Sequence, residues 1–353
     1  MLRIKSPVLT GLLGVSLVLV SCATTGGMGT GAAAHIAPVA QPPAWTSAAG
    51  DHERFNRQSY LTARGHGNSR QAAEMDALRQ LVTIFGVDVQ ADVRLVEAYR
   101  GRAGGPGVHT VDFGSEIVLG AGMDNLIGAE IGDRWDNGRN SFYALAVLNK
   151  ARAAQVYSEM IRANLETIAG LTDLSAWERN SFDGFSRYQF AAVVADMNVG
   201  YAAVLSAVGS PRHGLRTGDD FRRDAQAIAA AIPIGMNVTG DRAGRIQGAF
   251  GRAFSDLGFR TGGVGQRYVL NVDVTLLPTD HQTNIVFSRM ELSANLVDVS
   301  TGSVLLPFTF NLREGHSTQS EAENRAFIAA ERRINEEYGD MLSDFLMQLI
   351  PGR

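Results

Sequence analysis

One residue in 353 is a cysteine. Cys22 therefore has no partner for an intrachain disulfide, and stability has to come from packing. An excess of positive charge is missing too: 32 Lys and Arg face 36 Asp and Glu, a formal net charge of −4. Phosphate recognition needs the opposite balance, so nucleic acid is excluded as a partner, and so is electrostatic attraction to anionic lipid heads. Beyond the amino terminus no apolar run approaches the ~20 residues that span a bilayer. Histidines 35, 52, 66, 109, 213, 281 and 316 are scattered, with no His-x-x-x-His or His-Glu-x-x-His spacing for zinc. There is no Gly-x-Ser-x-Gly elbow and no phosphate loop. Gly262-Gly263-Val264-Gly265 precedes a strand, whereas a dinucleotide fingerprint opens a helix. Asp112-Phe113-Gly114 stands without the rest of a kinase motif. Glu321, Glu323, Glu336 and Glu337 read as solvated helix carboxylates. The expectation is a protein that is not an enzyme and holds no cofactor and no metal.

What is present starts at residue 1. Arg3 and Lys5 form a positive head, and Val8 to Val20 is almost wholly apolar, too short for a comfortable span. It ends in Leu19-Val20-Ser21-Cys22, the lipoprotein signal box: aliphatic, branched or small, small, then cysteine. Lipid on the Cys22 thiol and cleavage after the small Ser21 account for that order. Residues 1–21 are thus expected to be a signal peptide, and membrane contact is expected through the lipid on Cys22. Ala23 after the cysteine favours the outer membrane, facing the periplasm. Residues 22–44 are glycine-rich, proline-punctuated and nearly uncharged, a composition that reads as a flexible tether.

The remaining ~300 residues exceed one typical core, which predicts an α+β chain of two small domains with a connector between them. In residues 45–172, Tyr60 to Gly67 reads as a strand that ends in a glycine turn. Asn68 caps the helix that follows, boxed by Gln71, with Met75, Leu78, Val82 and Phe85 as its inward stripe. Thr110–Leu119, Leu126–Trp135 and Phe142–Leu148 read as strands, and Lys150–Leu171 as a helix with Val156, Met160, Ile161 and Ile168 inward. Residues 173–232 read as an alanine-rich helical connector, broken near Gly209-Ser210-Pro211. Residues 233–353 read as strand, helix, three-strand meander, helix. There Leu270, Val272, Val274 and Leu276, then Met290, Leu292, Ala294 and Leu296, then Val304, Leu306, Phe308, Phe310 and Leu312 alternate with polar residues, so the sheet is covered on one face and wet on the other. The last helix starts at Thr318, boxed by Glu321, with Ile334, Tyr338, Met341, Phe345 and Leu349 on one stripe.

Two stretches resemble known families. Tyr60-Leu61-Thr62-Ala63-Arg64-Gly65 with Ser69-Arg70-Gln71-Ala72-Ala73-Glu74, Ala77-Leu78, Asn125-Leu126-Ile127-Gly128, Trp135 and Tyr143-Ala144-Leu145-Ala146 resembles the LPP-twenty type lipoprotein family over residues 45–170. Gly240-Asp241, Gly258-Phe259, Leu296-Val297-Asp298 and Thr301-Gly302 resemble the small domain of the CsgG and LpoB type outer-membrane lipoproteins. Neither family brings a catalytic set, and only the lipidated cysteine carries over, at Cys22. The resemblance implies a scaffold or adaptor working through an envelope or flagellar protein partner. Rival expectations are a flagellar or secretion-apparatus assembly factor, a regulator of a peptidoglycan synthase, and a carrier of small apolar ligands.

Overall fold

Alternating side chains and long alanine-rich stretches divide this chain into two sheets and the helices that cover them. The computed structural model describes residues 41–47, 50–85, 126–263, 265–278 and 285–350. Leu19, Val20, Ser21 and Cys22, and the strand expected over Thr110–Leu119, lie outside the described residues. The class is α+β, as expected.

The first sheet has β1 (Tyr60–Gly67), β2 (Ala129–Asp136) and β3 (Phe142–Asn149) in the order β1-β3-β2, all antiparallel. Gly65 and Gly67 are strand-paired residues, opposite Ala144 and Phe142, with Gly67 the last residue of β1. Their role is close approach. A Cβ on Gly65 would lie 2.1 Å from both the Ala73 carbonyl oxygen and the Ala77 nitrogen of α1 (Arg70–Thr83). The helix therefore rests almost on the strand backbone, and only small residues fit beneath it. Its buried face is Ala73, Ala77 and Leu81, continued by Phe85, whereas Met75 is exposed and Leu78 and Val82 are half-buried. The stripe expected from side-chain size was out of phase. The cap also moves one residue: Ser69, not Asn68, accepts from the Ala72 amide.

Three longer elements form the middle of the body: α2 (Lys150–Thr172), α4 (Phe182–Ala207) and α5 (Gly218–Ala231), with the single turn α3 (Ala176–Arg179) between the first two. The inward face of α2 is Ala153, Tyr157, Ile161, Asn164, Ile168 and Leu171; Val156 and Met160 are only half-buried. Asn164 and Asn198 are buried and hydrogen-bonded (2.7 Å), so the polar pair between α2 and α4 is satisfied. By length and composition α4 could span a membrane, but its buried residues occur on every side, the pattern of a helix at the centre of a core.

The second sheet contains β4 (Pro233–Thr239), the two-residue β5 (Arg260–Thr261), β6 (Tyr268–Pro278), β7 (Val286–Asp298) and β8 (Ser303–His316) in the order β5-β4-β6-β7-β8. β4 runs parallel to β5 and β6, and the last three strands form an antiparallel meander. Between β4 and β5 lies α6 (Arg245–Asp256), which is stopped at Gly258, φ +88°, with the Phe259 amide bonded back to the Phe254 carbonyl. Leu270, Val272, Val274, Met290, Leu292, Ala294, Leu296, Leu306, Phe308 and Phe310 are buried beneath α6 and α7 (Gln319–Arg333). Val304 departs from the expected alternation and is 55% exposed, because a bulge pairs Leu306 with Leu296 but Val304 with Val297.

The helix after β8 also departs from the expected phase. Thr318 precedes it without a side-chain capping bond, and five residues, Ile334–Tyr338, form a π turn before α8 (Gly339–Gln348). The extra residue in that turn rotates the stripe, so Leu342, Leu346 and Ile350 are buried while Met341 is exposed and Phe345 and Leu349 are half-buried. Across α6 and α7, Glu331 accepts from both Arg245 (3.0 Å) and Arg252 (2.8 Å).

Candidate interaction surface

Because period two sends one parity of β6, β7 and β8 into the core, the other parity is carried outward, and no helix among the described residues covers it. Register decides what stands beside what. One rung holds Asn237, Asn271, Asn295 and Pro307; the next holds Thr239, Asp273, Ser293 and Thr309; the third holds Thr275, Glu291 and Asn311. Asn237 donates to Asn271 Oδ1 (2.9 Å) and the Thr239 hydroxyl to Asp273 Oδ1 (2.5 Å). Between the second and third rungs a trough of about 410 Å³ is lined by Asp273, Thr275, Glu291, Ser293, Thr309 and Asn311. Such a lining offers hydroxyl and amide donors and carboxylate acceptors to a partner.

One end of this sheet is locked by a charged knot. The Asp298 carboxylate, 5% exposed, accepts from the Ser300 amide (2.9 Å), the Ser300 hydroxyl (2.5 Å) and Arg267 Nε (3.0 Å). Burial works to raise its pKa, but these hydrogen bonds and the guanidinium charge outweigh it and hold the carboxyl below its usual range. Arg267 lies 4.6 Å from the Trp177 ring and 5.1 Å from the Tyr268 ring. Trp177 itself is 62% exposed. A second cavity, about 420 Å³ and open to solvent, is lined by Leu174, Ala176, Arg179, Asn180, Ala227 and Ile228.

Two histidines and one glutamate elsewhere are engaged. His52 Nε2 contacts Asp133 Oδ2 (3.0 Å), and its Nδ1 accepts the Arg54 amide (3.1 Å), so both ring nitrogens are spent. His66 Nε2 meets the Ser141 hydroxyl (2.9 Å), but Asp76 takes the His66 backbone amide (3.1 Å) and does not orient the ring. Glu323 is not freely solvated, as its helix position suggests: it pairs with Arg242 and accepts from Gln319 (2.8 Å), which lowers its pKa. Among the described residues no group of three or more His, Cys, Asp or Glu converges to hold a metal. Neither the cross-strand rungs nor the His52 pair is visible in sequence, since both depend on register and on contacts across 34 to 81 positions.

No family model matches the chain, and no curated protein sequence matches it. Among solved structures it is similar to a secreted protein of Helicobacter pylori, at 12% identity over 79% of this chain and 98% of that one, with a TM-score of 0.38. A minor lipoprotein of Acinetobacter baumannii superposes at 11% identity over 33% of this chain and 91% of its own, TM-score 0.24. A lipoprotein of Neisseria meningitidis does so at 16% identity over 29% and 98%, TM-score 0.20. All three are bacterial secreted or lipoprotein chains. Identities and TM-scores this low leave function to be argued from the residues.

Proposed function

We propose that this chain is a non-enzymatic scaffold or adaptor of the bacterial envelope, held at a membrane by diacylglycerol on Cys22 and recruiting a protein partner. The LPP-twenty and CsgG/LpoB resemblances belong to the same proposal, as does an outer-membrane position facing the periplasm, which Ala23 supports. The observation that carries the partner role is the uncovered sheet face, where three polar rungs stand side by side and the second and third line an open trough. A face of that chemistry suits a polar, specific contact more than apolar cargo, since the apolar interior between sheet and helices is filled by side chains such as Phe250, Phe308 and Tyr338.

The test is site-directed photo-cross-linking in cells, with the reactive residue at Asn271 or Thr309 and, as a control, at Arg325 on the helical side. The reading expects discrete cross-linked species from the sheet face and none from the control. Repeated absence of any species from the sheet face would remove the adaptor role. Fatty-acid labelling of Cys22→Ser tests the anchor separately, with loss of label expected. A deletion strain scored together for motility, cell shape and envelope leakage assigns the partner system.

A further inference from the structure

Residues 41–47 and 50–58 lie on the first sheet in an unusual way. They pass over the face opposite α1, where Trp45 and Phe55, each 4% exposed, pack with Leu145 and Val147 of β3 in a cluster separate from the main core. Gly132, at the bulge in β2, makes room: a Cβ there would lie 2.6 Å from the Phe55 ring. His52 sits 4.9 Å from the Phe55 ring and reaches Asp133 of β2.

No main-chain hydrogen bond joins this segment to β2 or β3 among the described residues. Its main-chain bonds are local turns, from Thr46 to Pro43, Ser47 to Ala44 and Gly50 to Ser47, and, at the junction with β1, from Ser59 and Tyr60 to the Asn56 carbonyl. On β2 and β3 it is held by two aromatic side chains and the His52–Asp133 contact, and at its far end Lys150 Nζ donates to the Arg57 carbonyl (2.7 Å). A segment joined to the strands it covers by side chains alone, on a cluster of its own, opens without unfolding them.

We propose that residues 41–58 are a releasable strap, which closes over the β2–β3 face when docked and lengthens the tether when free. Release frees about 18 residues, a fully extended length of about 60 Å. It also uncovers Leu145 and Val147. The change in reach rests on the lipid-anchor reading; the opening does not.

β3 supplies its own control, because neighbouring residues face opposite ways: Ala146 lies in the main core and Val147 under the strap. The experiment uses the full chain with Cys22→Ser, so that a single thiol is introduced by Val147→Cys or by Ala146→Cys, and follows thiol labelling without denaturant. The Val147→Cys thiol is expected to react about 10-fold faster or more, through local opening. Adding Trp45→Ala is expected to speed Val147→Cys labelling by about 100-fold while leaving Ala146→Cys unchanged. Equal rates at the two positions, or equal acceleration of both by Trp45→Ala, would overturn the proposal. Should Val147→Cys fail to fold, Leu145→Cys on the same face replaces it. Because the readout is made without lipid, loss of the anchor reading would leave this result standing.

Discussion

Gly65 and Gly251 show how differently one residue type can be constrained. A Cβ on Gly65 would lie 2.1 Å from the α1 backbone, and neither the helix nor the strand can yield there without parting. Gly65→Ala is expected to cost about 1–3 kcal/mol by overpacking. Gly251, inside α6, has nothing within 4 Å of where a Cβ would be. Gly251→Ala is expected to add about 0.5–1 kcal/mol through helix propensity. Urea denaturation of the two variants reads both signs at once. Asp298 supplies a pH dependence at the same scale. Its folded pKa lies below the ordinary carboxylate value, so its contribution is fully present above that ordinary value and is lost as pH falls through the lower, folded value. Asp298→Asn is expected to lose about 1–3 kcal/mol at pH 7 and correspondingly less at pH 3 and below, checked by urea titrations at both pH values.

Elements were legible in the sequence where their period was long and regular, and their phase was not. The Leu270, Met290 and Leu306 series announce both faces of the second sheet. Phase failed where something other than side-chain size decided it. On α1 the glycines of β1 admit only alanines beneath the helix; in β8 a bulge turns Val304 outward; after Arg333 a π turn adds a residue. The candidate surface was half legible: its polar face followed from alternation, its rungs only from register. The strap was missed because Trp45 and Phe55 stand ten residues apart in a polar stretch with no period to betray them. Helix phase is directly testable. Leu342→Ala is expected to cost about 2–5 kcal/mol, and Met341→Ala less than about 1, the reverse of what an uninterrupted stripe demands. Thermal or urea unfolding of the pair decides.

For the molecule as a whole, one cluster of buried side chains runs from Ala73 in α1 through α4 to Leu346 in α8. Phe182, which opens α4, stacks on Tyr268 of β6 (3.9 Å) and meets Phe259 edge-on (5.2 Å). The segments 45–172, 173–232 and 233–353 therefore share packing surfaces, and we propose that they unfold together. Coincident transitions by far-ultraviolet and near-ultraviolet circular dichroism are expected; two separated transitions would restore them as independent units.

Lys150 opens α2 and, apart from Lys5 near the amino terminus, is the only lysine in the chain. The folded body thus carries a single side-chain amine, and that amine is clasped to the carbonyl of Arg57 where the docked segment meets β1. An amine-directed dye would consequently mark this junction and no other place in the body, a built-in address for watching the molecule loosen at one joint while the rest stays shut.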